Sequence, residues 1–354
     1  MIEIQRGNLL EADVEALVNT VNCVGVMGKG IALQFKQAFP ENFREYEKAC
    51  RHEEVVPGKM FTFKTGTLLS PKYIINFPTK RHWKGKSKVD DIKAGLSALI
   101  AEVKRLKIKS IAVPPLGCGN GGLAWDQVRP LIESAFSALP SVKVFLYQPY
   151  GAPLPNKMPV RTKVPHMTRS RALFICLIDR YRIPEYRLTL LEMQKVAYFL
   201  QCAGEPLRLN FVKHTYGPYA DNLNHVLQAM EGHFIRGYGD RSRGAQIYAL
   251  AEGIKQAREF LEHDDGAKQT LQSVSDLIQG FETPYGMELL ASTLWIAATE
   301  NETAKREPEA AIKDLHEWNS RKRKIFRHEH IRKAWHRLQT QGWFEKTACG
   351  QIMR

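Results

Sequence analysis

Residues 21–32 read VNCVGVMGKGIA, a glycine-rich turn that decides how the first part of this chain folds. The apolar run 16–18 precedes this turn, and the helical pattern 31–35 follows it. This order predicts a strand, a turn and a helix N-terminus. Glycines in the turn let backbone N–H groups approach a phosphate closely, and the helix dipole favours the negative charge.

A second glycine-rich turn, GCGNGG at 117–122, follows another apolar run at 110–115. Two such turns at strand ends can clamp a diphosphate from both sides, although each by itself is also compatible with a plain tight turn. The first turn is not a P-loop, because Cys23 and Gly30 stand where that motif needs glycine and serine or threonine. Its glycine spacing does not fit the dinucleotide fingerprint either.

The region 1–150 alternates short apolar segments with amphipathic ones, which predicts an α/β domain whose mostly parallel or mixed sheet is covered by helices on both faces. Ligands then bind beyond the carboxyl ends of the strands, where both glycine turns fall. The predicted strands are 2–5, 15–21, 59–64, 73–77, 109–113 and 142–147, and the predicted helices are 30–38, 41–51, 90–106 and 125–138.

Four prolines within 151–165 predict an extended linker, and the pattern changes after it. The region 166–354 is predicted to form a mainly helical (α+β) second domain, in which Thr189 and Glu192 form a capping box. A short strand pair is expected around 207–213 and 245–250. Further helices are expected near 220–231, 251–262, 268–279, 284–299, 307–318 and 328–340.

The net charge of +14 suits a polyanionic partner such as nucleic acid, although a basic surface can also serve solubility alone. The charge is spread over the whole chain. Residues 1–150 hold 21 Lys and Arg against 14 Asp and Glu, and residues 151–354 hold 30 against 23.

Six scattered cysteines without a C-x-x-C pattern predict reduced thiols in a cytoplasmic protein. No signal-peptide pattern opens the sequence, and the apolar run 172–178 is too short to span a bilayer. The histidines at 328–330 do not have the spacing of a zinc site. We therefore predict no membrane association, no metal and no cofactor.

These turns, together with the segments GNLL at 7–10, VNTVN at 18–22 and PLGCG at 115–119 with Trp125, resemble the macrodomain family. Macrodomains have a three-layer αβα fold, bind ADP-ribose, and in some cases cleave it from modified macromolecules. The segment FPTKRHW at 77–83 narrows the resemblance to macrodomains that use a lysine for deglycosylation. A basic macrodomain joined to a helical domain is most similar to the DarG-type antitoxins.

The resemblance implies a DNA ADP-ribosyl glycohydrolase that removes ADP-ribose from thymidine in single-stranded DNA. It also implies a second domain that restrains a partner toxin, a DNA ADP-ribosyltransferase of the DarT type. The implied catalytic residue is Lys80. The implied ligand-binding residues are Asn8, Leu9, Asn19, Asn22, Gly28, Lys29, Gly30, Ile31, Thr79, Gly117, Cys118, Gly119, Asn120, Gly121, Gly122 and Leu123.

This chain departs from the family pattern at two positions. Asn8 stands where many macrodomains carry an aspartate that contacts the adenine amino group, and its amide oxygen can still accept that hydrogen bond. Gly121 stands where the eukaryotic lysine branch carries an acidic partner for the lysine. A mechanism that needs a carboxylate at this position of the loop therefore lacks its acidic residue in this chain.

Three roles are open to Lys80: a cation that stabilises the leaving thymine, a proton donor to it, or a nucleophile. A lysine is mostly protonated at neutral pH, which favours the cationic role over attack on the sugar. Asn22 is expected either to hold the hydroxyl groups of the distal ribose or to cap its own turn.

The basic run after Lys80 is suited to single-stranded DNA, because cations contact phosphates and an indole ring stacks on a base. A solvated loop with a packing role for the tryptophan is the alternative. The predicted nucleic-acid-binding residues are Arg81, His82, Trp83 and Lys84. A second basic stretch, 321–337, with Phe326 and Trp335, is expected to meet DNA, to meet an acidic face of a partner, or to form a solvated helix face.

Other functions fit the same residues. The chain can be an ADP-ribose reader without catalysis, as the missing acid at Gly121 suggests, or a hydrolase of ADP-ribosylated protein. The second domain can also act as an antitoxin by steric binding alone. The presence of Lys80 after the fourth predicted strand argues against the reader.

Overall fold

The computed structural model describes residues 1–67, 70–150, 158–181, 188–239 and 246–345. These residues form two compact units, one of the described residues up to 163 together with Gly239, and one of the other described residues from 164 onward. The first part of the predicted linker, 151–157, lies outside the described residues. The boundaries predicted at 150 and 166 stay predictions.

The first unit contains one six-stranded sheet in the order β1-β6-β5-β2-β4-β3. Neighbouring strands are parallel except for the antiparallel pair of β3 and β4, so the predicted mixed sheet is confirmed. The strands are β1 (Ile2–Gln5), β2 (Ala16–Val21), β3 (Phe61–Lys64), β4 (Tyr73–Pro78), β5 (Ser110–Val113) and β6 (Lys143–Tyr147).

Helices cover both faces of this sheet. Successive residues of a strand point to opposite faces, so one strand contributes to the core on each side. Ala16 and Val18 pack in one core with residues of α3 and α4, whereas Leu17 packs in another with Phe35 of α1. The predicted three-layer αβα fold is therefore confirmed. The helices are α1 (Gly30–Ala38), α2 (Pro40–Arg51), α3 (Val89–Arg105) and α4 (Trp125–Phe136), and a short 3-10 helix spans Leu9–Glu11.

The strand register brings the predicted site residues to one edge of the sheet. β2 and β4 run side by side from the pair Ala16 and Tyr73 to the pair Val21 and Pro78. Both strands therefore end at the same level. The first glycine turn follows β2, Lys80 follows β4, and the second glycine turn follows β5.

The second unit is mainly helical, as predicted. Thr189 and Glu192 form the predicted capping box. The segment 296–300 continues α10 as a turn of π-helix, and 3-10 turns span 302–305 and 343–345. The helices are α5 (Arg169–Arg180), α6 (Leu190–Cys202), α7 (Leu223–Met230), α8 (Ala251–Phe260), α9 (Asp265–Ile278), α10 (Pro284–Trp295), α11 (Pro308–Trp318), α12 (Ser320–Ile325) and α13 (His328–Thr340).

The predicted pairing between 207–213 and 245–250 is wrong. Instead β7 (Phe211–His214) pairs with β8 (Gly217–Ala220), and β9 (Ile235–Arg236) pairs with β10 (Tyr248–Ala249). Gly217 adopts a φ of +87°, which lets the chain reverse at once and pair with its immediate neighbour. The local hairpin closes a shorter loop than the predicted long-range pair.

Helix α5 is absent from the sequence prediction because its residues 172–178 are buried on every side and show no amphipathic period. Thr168, whose side chain accepts from the N–H of Arg171, was the available signal for its start. Among the described residues, the helices are all too short or too polar to cross a bilayer.

Candidate active site

The backbone holds Lys80 beside the first glycine turn. The Thr79 N–H donates to the Val21 carbonyl at 2.9 Å, and the Cys23 N–H donates to the Arg81 carbonyl at 3.2 Å. The ladder between β2 and β4 therefore continues past the ends of both strands. These backbone hydrogen bonds fix the position of the Lys80 main chain.

The Lys80 ammonium group is half-buried and held by two backbone carbonyls. Its Nζ donates to the Asn120 carbonyl at 3.1 Å and to the Trp83 carbonyl at 3.4 Å. Burial, and then the positive charge of Lys29, lower the pKa of Lys80 below its ordinary value. Since an ammonium has three N–H donors, the two carbonyls use two of them and the third can bond another group.

Asn22 organises the first glycine turn with its side chain. Its Oδ1 accepts from the N–H groups of Val24 at 2.9 Å and Val26 at 3.4 Å, and its Nδ2 donates to the Val26 carbonyl at 2.5 Å. The Tyr46 hydroxyl donates to the Asn22 carbonyl at 2.7 Å. The capping role therefore describes this side chain, and contact with the distal ribose stays a prediction.

The two glycine turns approach each other across the site. A Cβ on Gly30 would lie 3.1 Å from the Asn120 side-chain nitrogen, closer than most real contacts of a Cβ. Gly30, the first residue of α1, also has a φ of +55°. The predicted lining residues Gly28, Lys29 and Ile31 adjoin it in the chain, and their contacts with ligand stay predictions.

The second turn is compact because backbone hydrogen bonds join its own residues. The Leu123 N–H donates to the Gly117 carbonyl at 3.1 Å, and the Gly122 N–H donates to the Gly119 carbonyl at 3.0 Å. Gly117 and Gly122 adopt positive φ values of +73° and +80°. Glycine is the residue that takes such angles at no steric cost, so the sequence pattern follows from the shape of the turn.

The absence of an acid at Gly121 has a steric reason. A Cβ at this position would lie 2.3 Å from the Gly117 carbonyl oxygen and 2.3 Å from Ser87 Oγ. The Ser87 N–H also donates to the Gly121 carbonyl at 3.0 Å. No carboxylate side chain fits there unless the turn moves, so the turn excludes an acidic partner for Lys80 at position 121.

Two residues predicted to contact the ligand have structural roles. Asn8 caps the 3-10 helix by accepting from the Leu10 N–H at 3.1 Å. Asn19 is fully buried and donates to Asn76 Oδ1 at 2.9 Å, and Asn76 in turn donates to Asn42 Oδ1 at 2.7 Å. Ligand contacts of Asn8, of the buried Leu9 and of Asn19 stay predictions.

The thiols at the site are weak acids. Burial raises the pKa of Cys23 and of Cys118 to about 11. Cys23 Sγ lies 3.5 Å from the Lys80 carbonyl oxygen. Both thiols are therefore neutral at physiological pH and do not act as thiolate nucleophiles.

The predicted nucleic-acid-binding residues 81–84 directly follow Lys80, and their side chains make contacts within the protein. The Arg81 guanidinium pairs with both oxygens of Asp91, at 2.7 and 3.1 Å. Lys84 Nζ lies 4.8 Å from the centre of the Trp83 ring, and the His82 ring centre lies 5.4 Å from it. Half-buried Trp83 therefore stands in a small cluster of basic side chains.

Sequence reasoning missed Tyr46, Ser87 and Asp91, which shape the site from other elements. Asp91 stands in the first turn of α3, where the helix dipole favours acidic residues. No pattern in the sequence predicts its ion pair with Arg81. Within the described residues, no three His, Cys, Asp or Glu side chains are placed to hold a metal ion.

Comparison with known proteins gives matches within the first unit and over most of the chain. The family model of the Macro domain matches residues 18–132. A DNA ADP-ribosyl glycohydrolase of Thermus aquaticus is 46% identical over 323 residues, which are 91% of this chain and 89% of the relative. One of Mycobacterium tuberculosis is 43% identical over 355 residues, which are 96% of this chain and 99% of the relative.

A third relative is named as a fusion of two enzymes. The DNA ADP-ribosyl transferase-DNA ADP-ribosyl glycohydrolase fusion protein of Thermosipho africanus is 34% identical over 170 residues, which are 44% of this chain and 44% of the relative.

Proposed function

The chain belongs to the family of DNA ADP-ribosyl glycohydrolases, and we propose that it removes ADP-ribose from thymidine in single-stranded DNA. The observation that carries the proposal is the position of Lys80, whose ammonium joins the end of β4 to the second glycine turn. The ADP-ribose diphosphate lies between the two turns, where backbone N–H groups meet it. The distal ribose then extends toward Lys80.

Lys80 acts as a proton donor in this proposal. The bond between the anomeric carbon and the thymine ring nitrogen breaks with its electron pair on the nitrogen, and the sugar takes on oxocarbenium character. A proton passes from Lys80 to the thymine. Water adds to the anomeric carbon, and the proton that this water loses returns to Lys80.

The surroundings of Lys80 support proton donation. The carbonyls of Asn120 and Trp83 accept from the ammonium and so favour the charged form. The lowered pKa makes the same ammonium a stronger acid than an exposed lysine. With Gly121 closed to any side chain, a paired carboxylate in that turn is not required.

The run 81–84 would hold the DNA strand beside the scissile bond. Trp83 offers a ring for base stacking, Lys84 offers positive charge next to it, and the His82 ring lies 5.4 Å from the Trp83 ring. The Arg81 guanidinium is paired with Asp91 but remains mostly exposed, so it can still meet a phosphate.

The second unit would bind and restrain a toxin of the DarT type. The fusion relative of Thermosipho africanus, which unites transferase and glycohydrolase in one name, supports such a partner. The basic charge of residues 151–354 suits an acidic surface on that toxin. Co-elution of the chain with a DarT-type toxin tests this part separately.

The test of the reaction is release of ADP-ribose from an ADP-ribosylated thymidine oligonucleotide. We expect release by the wild type and a loss of about 10²-fold or more in Lys80→Ala. Lys64→Ala, at an exposed position at the end of β3, is the matched control and should keep full activity.

Each other outcome has a definite meaning. Equal release by Lys80→Ala would remove the lysine mechanism and keep the hydrolase. ADP-ribose binding without release by the wild type would contradict the proposed substrate. Faster release from ADP-ribosylated protein than from DNA would favour the protein substrate.

A further inference from the structure

The second unit contains an open cleft of about 700 Å³ between the turn before α10, the first turn of α10 and the outer face of α13. Its volume is in the range that holds a ligand of nucleotide size. Its lining combines glycines, aromatic rings and basic side chains. The lining residues used below are Phe281, Tyr285, His330, Lys333, His336 and Arg337.

The lining is basic. Lys333, His336 and Arg337 come from one face of α13, and Asp and Glu are absent from the described residues that line the cleft. Lys333 and His336 are exposed. Arg337 Nη1 donates to the carbonyls of residues 276, 277 and 279 at the end of α9, which fixes this charge in the wall.

Aromatic rings stand among these charges. The Arg337 guanidinium lies 5.4 Å from the centre of the Phe281 ring. The Tyr285 hydroxyl lies 2.8 Å from His330 Nδ1 and donates to the Ile325 carbonyl at 3.2 Å. Both rings are half-buried, so each is held in place and still presents part of its surface.

Some side chains of the basic stretch 321–337 are buried in the fold, and others are exposed. Arg321 and Lys322 turn inward and pair with Glu288 at 2.6 and 2.7 Å, and Lys322 is fully buried. Trp335 is buried as well and donates to the Ala304 carbonyl. Arg321, Lys322 and Trp335 therefore stabilise the fold, whereas the side chains of α13 that line the cleft are available to a partner.

We propose that this cleft binds single-stranded DNA, with phosphates on Lys333, His336 and Arg337 and a base against Phe281 or Tyr285. Basic grooves with interleaved aromatic rings bind single strands in this way, because every base offers a face for stacking. The proposal goes beyond the proposed function, since it assigns a second nucleic-acid contact to the unit that does not carry Lys80.

One polar atom adds to the case for a nucleotide. The side-chain oxygen of Gln341, which also lines the cleft, is buried without a hydrogen-bond partner among the described residues. Leaving such an acceptor unpaired is costly. The N3–H of a thymine base would satisfy it, whereas the carboxylates of an acidic protein surface would not.

The experiment measures binding of fluorescent, unmodified oligothymidine to the full chain by anisotropy at several salt concentrations. We expect Lys333→Glu to weaken binding about tenfold at low salt and to reduce the salt slope by about 0.7 per lost phosphate contact. Lys324→Glu is the matched control, an exposed lysine of the same basic stretch that does not line the cleft. It should change affinity less than about twofold.

Equal weakening by both variants would show a general charge effect and overturn the proposal, and so would unchanged binding by Lys333→Glu. Retained oligothymidine binding with lost co-elution of a DarT-type toxin would assign the cleft to protein and also overturn it. Hydrolysis of ADP-ribosylated thymidine nucleoside should be the same in Lys333→Glu and wild type. This second readout separates failure of the cleft from failure of the Lys80 reaction.

Discussion

Lys80 Nζ lies 3.1 Å from the carbonyl oxygen of Asn120, so a side chain that follows one strand is anchored to the glycine turn that follows another. The contact joins residues 40 positions apart. It holds the ammonium at the place where both glycine turns meet. The effect of Lys80→Arg and the pH dependence of hydrolysis both depend on this arrangement.

Lys80→Arg separates charge from proton donation. Arginine keeps the positive charge, but its guanidinium does not give up a proton at accessible pH. We expect Lys80→Arg to lose about 10²-fold or more of the hydrolysis rate, close to the loss in Lys80→Ala. Recovery of near wild-type rate in Lys80→Arg, with ADP-ribose binding intact in both variants, would mean that charge alone suffices.

The pH dependence of hydrolysis should report the lowered pKa of Lys80. Because the protonated form is the active one, kcat/KM falls as pH rises through that pKa, which lies below the ordinary value of about 10.4. Lys29→Ala removes a like charge and should move this fall to higher pH. Lys93→Ala, at an exposed position on α3, should leave it in place, and a profile of Lys29→Ala that matches wild type would contradict the coupling.

Gly121→Ala should destabilise the first unit. The new Cβ would lie 2.3 Å from two oxygen atoms, and overpacking of this kind costs about 1–3 kcal/mol in the free energy of unfolding. Gly119→Ala is the control in the same turn, because a Cβ there meets no atom within 4 Å. Chemical denaturation of the two variants checks the difference, and equal stability would show that the turn yields easily.

Stability of the second unit should rise between pH 7 and pH 9. Burial, and then the charge of Lys322, lower the pKa of Lys195 to about 7. In the unfolded chain this lysine keeps its proton up to about pH 10.4, so its contribution to stability is full above that value and is lost as pH falls through about 7.

Lys195→Met should reduce this rise, since one titrating group is gone while Lys322, whose pKa is lowered by burial to about 8, remains. Lys255→Met, at an exposed position on α8, should keep it. The denaturant midpoint of the second unit at both pH values provides the measurement. A rise of undiminished size in Lys195→Met would assign the pH dependence to other groups.

The sequence by itself determined the first unit. Each strand from β1 to β6 and each helix from α1 to α4 falls within two residues of its predicted bounds. The reason is that apolar alternation, helical periodicity and glycine turns are local patterns, and each of them is read within a few residues. The position of Lys80 after β4 followed from the same patterns.

Only the tertiary structure decided which side chains face each other. The inward turn of Lys322 toward Glu288, the closure of Gly121 by Ser87 and the pairing of Arg81 with Asp91 join residues on separate elements. A charged residue in a sequence can face water or a buried partner, and its neighbours in the chain do not distinguish the two. Packing distinguishes them, because a buried charge is stable only when a partner from another element reaches it.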